Sequence, residues 1–420
     1  MVRKWKIAIV LFFVGAHNFA DRSAVSAIFP ILRHELGLTD VVLAGVGAVF
    51  LWSYAAGSPF AGVLADRFPR ARLLQVGLVT WSLIMACTGL VHSGRELLAM
   101  RALLGLAECL YLPAAFALLA DHYGPEMRAT AIGIQICGVN LGLIAGNTIA
   151  PFLSERFGWR MGFILLGGAG LVLALITKFL LEEGSLRPAK AETRPSTIES
   201  IARTLRTPGY RLVVIASMLI AVCTWSFLNW LPLFYHEHFH LDLTAAGFTS
   251  SSALQSAAIT GAFAGGMVSD RLARRSRMAR IWLLAGSRFL AAPILLAFLW
   301  NLPVLGLSAM IFAYNLIIGL GAASETYTIC EVAGHGREST AVGLFNLANC
   351  VAGGAGILAT VYLQHRFGWA SAFASLALLA LVAGVVLLGA RTMVRRAQLQ
   401  TAAELYAGIS PQQMRKVATS

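Results

Sequence analysis

Twelve times along the chain the sequence turns apolar for roughly 20 residues, the length an α-helix needs to cross about 30 Å of hydrocarbon. The runs fall near 7–32, 42–65, 73–92, 96–121, 129–153, 160–181, 210–236, 246–269, 281–300, 303–331, 338–364 and 369–391. Within a bilayer core every backbone N–H and C=O must be bonded inside its own segment, so each run predicts a helix. Only 13% of the 420 residues are charged, about half the share in soluble domains. The 40 glycines suit helices whose backbones approach closely in lipid. The reading is an all-α membrane protein with twelve transmembrane helices. No A-x-A-like cleavage site follows the first run, so it is expected to stay as a helix.

The basic residues set the orientation. Arg3, Lys4, Lys6, Arg67, Arg70, Arg72, Arg271, Arg274, Arg275, Arg277, Arg280, Arg395 and Arg396 fall on one side of the predicted topology. Arg33, Arg95, Arg156, Arg160 and Arg366 fall on the other. The positive-inside rule then places both termini in the cytoplasm of a multi-pass cell-membrane protein. The net charge of +13 is accounted for by short loops beside anionic lipid headgroups. No basic patch with interleaved aromatics points to nucleic acid.

The chain repeats itself. Gly62 to Arg72 (GVLADRFPRAR) and Gly266 to Arg277 (GMVSDRLARRSR) share a Gly, an Asp-Arg four residues on, and a basic run. Ala131 to Phe163 and Ala341 to Phe373 run in register with RFGW in both. Such self-similarity predicts two six-helix halves of one plan. The boundaries are 1–181 for the first bundle, 182–209 for a cytoplasmic linker, 210–391 for the second bundle and 392–420 for a cytoplasmic tail.

Charges inside the first bundle are the most informative chemistry. An ionised side chain at mid-bilayer costs about 2.5–3.5 kcal/mol on insertion scales, so such groups are normally paired and face a cavity. Asp21 and Arg22 lie in the first helix, and Arg101 and Glu108 in the fourth. Arg101 and Glu108 share a helix face; so do His17 with Asp21 and Asn18 with Arg22. Two acids and two bases are expected to neutralise one another across the gap between helices 1 and 4. The set fits a static ion-pair cluster, and it also fits a working one. Protonation of an acid would release its arginine to hold an anion through a bidentate contact.

The Gly62–Asp66–Arg67–Arg70–Arg72 loop resembles the signature between helices 2 and 3 of the major facilitator superfamily. Gly266, Asp270 and Arg271 resemble its second-half echo, and Arg101-x-x-x-Gly105-x-x-Glu108 resembles a further family motif. The resemblance covers roughly residues 5 to 395 and implies two pseudo-symmetric six-helix bundles around a central cavity, working by alternating access. It makes Gly62, Asp66, Arg67, Arg70, Asp270 and Arg271 gating residues rather than cargo-selecting ones.

Asn18-Phe-Ala-Asp21-Arg22 followed by Pro30 and Glu35-Leu-Gly-Leu resembles helix 1 of the anion:cation symporter branch. Trp225 to Pro232 and Phe345-Asn346-x-x-Asn349 resemble helices 7 and 11 of that branch. The likeness implies proton-coupled uptake of a sugar acid or another small organic anion, with Asp21 and Glu108 as proton sites and Arg22 as anion partner. The chain departs from the branch in helix 11, which lacks a proline after Asn349, and in helix 10, which carries Glu325 and Glu331. Spinster-like lipid carriers share the Asp-Arg and the Arg…Glu, which makes export of an amphiphilic lipid or xenobiotic the competing expectation.

Candidate substrate contacts in the first half are Asn18, Arg22, Arg101 and Tyr111. In the second half they are Trp225, Asn229, Gln255, Asn315, Glu325, Asn346 and Asn349, a set suited to hydroxyl groups, with Trp230 and Tyr235 nearby. His236, His238 and His240 alternate at a helix end, but no acid or Cys spacing supports a metal site. The six cysteines are scattered through apolar runs as small packing residues. Without a phosphate-binding loop or a nucleophile constellation, neither ATP-driven pumping nor an enzyme is expected. The expected partners are a small-molecule substrate, protons and membrane lipid; no cofactor or metal is expected, and a monomer suffices.

Overall fold

The computed structural model describes residues 2–181, 197–274, 278–334 and 337–407. All regular structure among them is helical. The first half contains α1 (Val2–Ala27), α2 (Phe29–Leu36), α3 (Asp40–Arg67), α4 (Arg70–Thr88), α5 (Gly94–Glu108), α6 (Tyr111–His122), α7 (Pro125–Phe157) and α8 (Trp159–Leu180). After α9 (Thr197–Arg206), the second half contains α10 (Pro208–Phe239), α11 (Leu243–Ala273), α12 (Ala279–Ala291) with a 3₁₀ extension (Ala292–Leu299), α13 (Val304–Ala333) and α14 (Glu338–Ala407). Among the described residues nine helices are long and apolar enough to cross a membrane by length and composition alone, and one of these stretches, Thr340–Arg395, spans Gly368. There α14 leaves helical geometry and divides into two passes.

Several elements differ from the sequence expectation, each for a local reason. The first pass is interrupted at Ile28, beside Pro30, and the fourth at Cys109–Leu110. Pro113 has no N–H to return to Cys109. The ninth pass tightens to a 3₁₀ helix from Ala292, at Pro293. Residues 182–196 of the linker and 408–420 of the tail lie outside the described residues. The linker's last part forms the helix α9, and the tail's first part continues α14 to Ala407.

The RFGW repeat is a repeated corner. Gly158 (φ 82°, ψ 148°) ends α7, and Gly368 (φ 81°, ψ 166°) divides α14. Both adopt a positive φ that suits glycine. The following tryptophans do the same work in each half: Trp159 Nε1 donates to Glu35 Oε2 at 2.7 Å, and Trp369 Nε1 donates to Glu237 Oε2 at 2.8 Å.

Within the first bundle, α7 crosses α1 on small residues. A Cβ on Gly138, Gly142 or Gly146 would stand 2.7–2.9 Å from the Cα of Phe12, Ala16 or Ala20. That is the small-residue packing by which helices associate in lipid, where no hydrophobic force draws them together.

The halves meet through α3 against α14, α7 against α11 and α1 against α10. Their polar contacts gather at the end away from the chain termini. Arg33 pairs with Glu237 at 3.0 Å and His365 with Asp40 at 3.4 Å. Asn147 Nδ2 donates to Ser251 Oγ at 2.6 Å, and Glu155 accepts from Leu243 N and Thr244 Oγ1 at 3.1 and 2.9 Å. Trp52 Nε1 donates to Val351 O at 3.2 Å. Toward the end that carries the termini, Gly62, Gly133, Gly266 and Gly343 on the four facing helices have no atom within 4 Å of a Cβ position. Among the described residues the halves are held together at the distal end, and these four glycines have open space beside them toward the terminal end.

Candidate functional site

Four charged side chains come together where the broken fourth pass meets α1. Glu108 is the last residue of α5, placed there by the helix break that follows it. Arg22 Nε donates to Glu108 Oε2 at 2.7 Å, and its Nη2 donates to Asn18 Oδ1 at 3.0 Å. Its guanidinium lies 4.2 Å from the ring centre of Phe19 and 4.6 Å from that of Tyr54, so the cation is held by aromatic faces as well as by the acid.

Arg101 departs from the expected pairing. Its Nη1 and Nη2 donate to the backbone carbonyls of Asp21 and Arg22 at 3.4 and 3.3 Å, and its guanidinium stacks 4.8 Å from Phe50. A helical carbonyl has a second lone pair free for such a bond. The partner that Asp21 finds is His17, with Nδ1 3.2 Å from Oδ2.

A central cavity lies against this cluster. It is lined by Arg22, Ser23, Ser26, Phe50 and Arg101 from the first half, and by Trp225, Asn229 and Ile357 from the second, among others. The space open to the centres of water molecules is about 30 Å³, enough for roughly two waters. The two arginines reach the cavity wall, whereas Asp21 and Glu108 are fully buried behind it.

The remaining candidates fall in different places. Trp225 and Asn229 line the cavity, and Asn229 Nδ2 is buried without a partner among the described residues. Tyr111 does not reach the cavity: its hydroxyl donates to Leu11 O at 3.0 Å behind α1, and Gln135 bonds to it. Asn315 Nδ2 bonds Leu254 O at 2.6 Å, tying α13 to α11. Gln255 is buried on α11, and Asn346 and Asn349 are half-buried on α14; none of the three is among the cavity-lining residues.

Glu325 belongs to a second charge cluster, accepting from Ser217 Oγ and from Arg288 Nη2, the latter at 3.2 Å. Arg288 was legible only as an arginine inside the ninth apolar run, and it is 1% exposed. His236 Nδ1 meets Leu241 O, His238 stacks on Phe234, and His240 caps α10 with φ 54°.

Of the signature-loop residues, Gly62 faces open space. Arg70 pairs with Asp121 within the first half, and Asp270 pairs with Arg280 at 3.6 Å within the second. Arg271 is exposed. The side chains of Asp66 and Arg67, at the end of α3, lie outside those described.

Comparison with known proteins agrees with the two-bundle architecture. The chain is 26% identical over 302 residues to a probable galactarate/D-glucarate transporter of Bacillus subtilis, covering 65% of this chain and 66% of that protein. It is 25% identical to an MFS-type efflux pump of Mycolicibacterium smegmatis, covering 84% and 83%. Its fold superposes on a bacterial homologue of the human lysosomal transporter Spinster, solved inward-facing and unoccupied, with a TM-score of 0.74 at 21% identity over 97% and 99% of the two chains. The Major Facilitator Superfamily profile matches residues 11–357. With that match over most of its length, the chain belongs to the major facilitator superfamily and is a membrane transporter rather than an enzyme.

Proposed function

We propose that this transporter couples proton movement to uptake of a small organic carboxylate across the cell membrane. Arg22 and Arg101 are the anion partners; Glu108 and Asp21 are the proton sites. One observation carries the reading. Arg22 lines the cavity while the acid that neutralises it, Glu108, sits behind it at 2.7 Å. A proton on Glu108 removes that neutralising charge without moving the guanidinium, which then presents a positive charge to the cavity. A carboxylate entering the cavity replaces Glu108 as counter-ion, so proton and anion load together. The sugar-acid transporter among the relatives supports this cargo class.

The lysines and arginines around the terminal end support a cytoplasmic side for it, and on that reading the geometry corresponds to an inward-open state. Separation of the halves at the distal end, with closure of the terminal end, completes alternating access.

The test is uptake of labelled D-glucarate and D-glucuronate by the purified protein in liposomes, with and without a proton gradient directed inward. Glu108→Gln is expected to abolish gradient-driven accumulation while substrate exchange across the membrane continues. Accumulation at the native level in that variant would overturn the assignment of Glu108. The cavity also has an apolar wall, with Phe50, Leu51, Leu143, Leu228 and Ile357. That wall favours a second reading, export of an amphiphile. Efflux of a fluorescent lysophospholipid from the same liposomes, with no sugar-acid exchange, would establish it.

A further inference from the structure

One titratable side chain beside the cluster has no part in the proposal above. His17 precedes Asp21 by one turn of α1. Its Nε2 lies 3.1 Å from the carbonyl oxygen of Leu166 on α8. A carbonyl can only accept, so Nε2 carries a hydrogen. Nδ1 then faces Asp21 Oδ2 at 3.2 Å. Neither carboxylate oxygen has a hydrogen-bond donor elsewhere among the described residues. Two lone pairs facing each other at that separation repel, so one hydrogen belongs between them, on the nitrogen or on the oxygen.

The pair is enclosed: Asp21 has no exposed surface and His17 Nδ1 is itself buried, while the His17 side chain as a whole retains 12%. The ring occupies a space kept for it: a Cβ on Gly170 would stand 2.6 Å from His17 Cε1. Beside the same glycine α4 contributes Ser82, whose hydroxyl is buried without a partner among the described residues.

The charged groups near the pair are Arg22 on α1 itself, and Arg101 and Glu108 from α5. The phenols of Tyr54 on α3 and Tyr111 on α6 are the other titratable groups nearby; α7 meets the far side of α1 through Gly142, and α8 presents a carbonyl and a glycine. With both acids ionised and the imidazole neutral, two arginines and two carboxylates sum to zero. With one hydrogen held between His17 and Asp21 the cluster carries a charge of one positive unit. That charge matches a monocarboxylate.

We propose that His17 and Asp21 form a shared-proton site, and that its loading makes the cavity receptive to a monocarboxylate anion. Loading adds one proton, given up by hydronium that leaves as water, to the Nδ1–Oδ2 contact, where nitrogen and oxygen hold it jointly. Departure of that proton returns the cluster to zero charge, leaves the two lone pairs in opposition, and weakens the hold on the anion. This assignment rests on the proton-coupled carboxylate reading given above.

Two measurements on the full-length protein separate the two claims. In detergent, proton release between about pH 9 and about pH 5 is counted with a pH dye in unbuffered solution, a window that brackets ordinary imidazole titration. The native protein is expected to exchange more protons than His17→Gln over that range, and His17→Gln/Asp21→Asn is expected to match His17→Gln. Equal counts in the native protein and His17→Gln would overturn the shared site, whatever the cargo. In liposomes loaded for D-glucuronate exchange, His17→Gln is expected to keep exchange and to lose gradient-driven accumulation by about tenfold, the scale of a typical coupling free energy. Its pH profile is expected to flatten. Gly170→Ala, which displaces the ring without removing it, is expected to show the same split. Native accumulation with a native pH profile in both variants would overturn the coupling of this site to the anion. An altered proton count without D-glucuronate transport in any protein would instead refute the carboxylate reading and leave the shared site standing.

Discussion

The closed distal end makes a state-specific prediction at Gly247. This residue sits in the first turns of α11, directly against the backbone of Asn147 on α7 in the other half. A methyl group there would overlap the Asn147 carbonyl oxygen and stand 2.8 Å from its carbonyl carbon. Both atoms belong to helical backbone, so no side chain can swing aside. Relief comes from parting α7 and α11, which is the movement that opens this end. Overpacking of this kind costs about 1–3 kcal/mol. Because the contact exists only while the halves touch here, Gly247→Ala charges that cost to the distal-closed state alone. The ratio of open to closed molecules should rise by about 5- to 150-fold, since about 1.4 kcal/mol corresponds to a factor of ten. Spin labels at Phe157→Cys and Phe367→Cys, exposed positions on opposite halves of the closed end, would report the change. The background is a protein whose six native cysteines are replaced by serine. The long-distance population should grow in Gly247→Ala. Gly142→Ala is the control, because its close contact with the Ala16 backbone lies within one half. It should lower the melting temperature without changing the label distances. An unchanged distance distribution in a well-folded Gly247→Ala protein would refute the reasoning.

The second charge cluster gives a stability prediction. Glu325→Leu leaves Arg288, 1% exposed, without its acid, and should cost about 3–5 kcal/mol. Arg288→Met/Glu325→Leu should recover most of that loss in thermal melts in detergent; no recovery would mean that the pair is not the source of the cost. At the cavity, Asn229→Ala removes an amide whose Nδ2 has no partner among the described residues. It should change stability by less than about 1 kcal/mol while weakening D-glucarate exchange, which separates a cargo contact from a structural one.

The apolar spans and the two-half plan were legible because lipid imposes a length and an apolarity on each helix that survive in one dimension. The RFGW repeat was legible for a further reason. The corner needs a glycine at positive φ, and each tryptophan needs an acid to receive its indole N–H, so the same four residues recur. Breaks near Ile28, Cys109 and Ala292 were harder to read, because each run stays apolar straight through them.

The candidate site divides in the same way. Helical spacing showed that His17 lies over Asp21 and Asn18 over Arg22, and both pairs are in contact. Spacing along one helix cannot show which neighbour it meets, or at what rotation. Only the packing of α1 against α5 sends Arg22 to Glu108 while turning Arg101 to the carbonyls of Asp21 and Arg22. Only the packing of α12 against α13 gives Glu325 an arginine. Tyr111 shows the same limit, since a residue three places after Glu108 falls beyond the helix break and bonds behind α1. Charge and apolarity along the chain therefore determined that buried ions lie in a two-bundle membrane protein. Which ions pair, which face the cavity and which end of the molecule is shut were decided by contacts between helices distant in sequence.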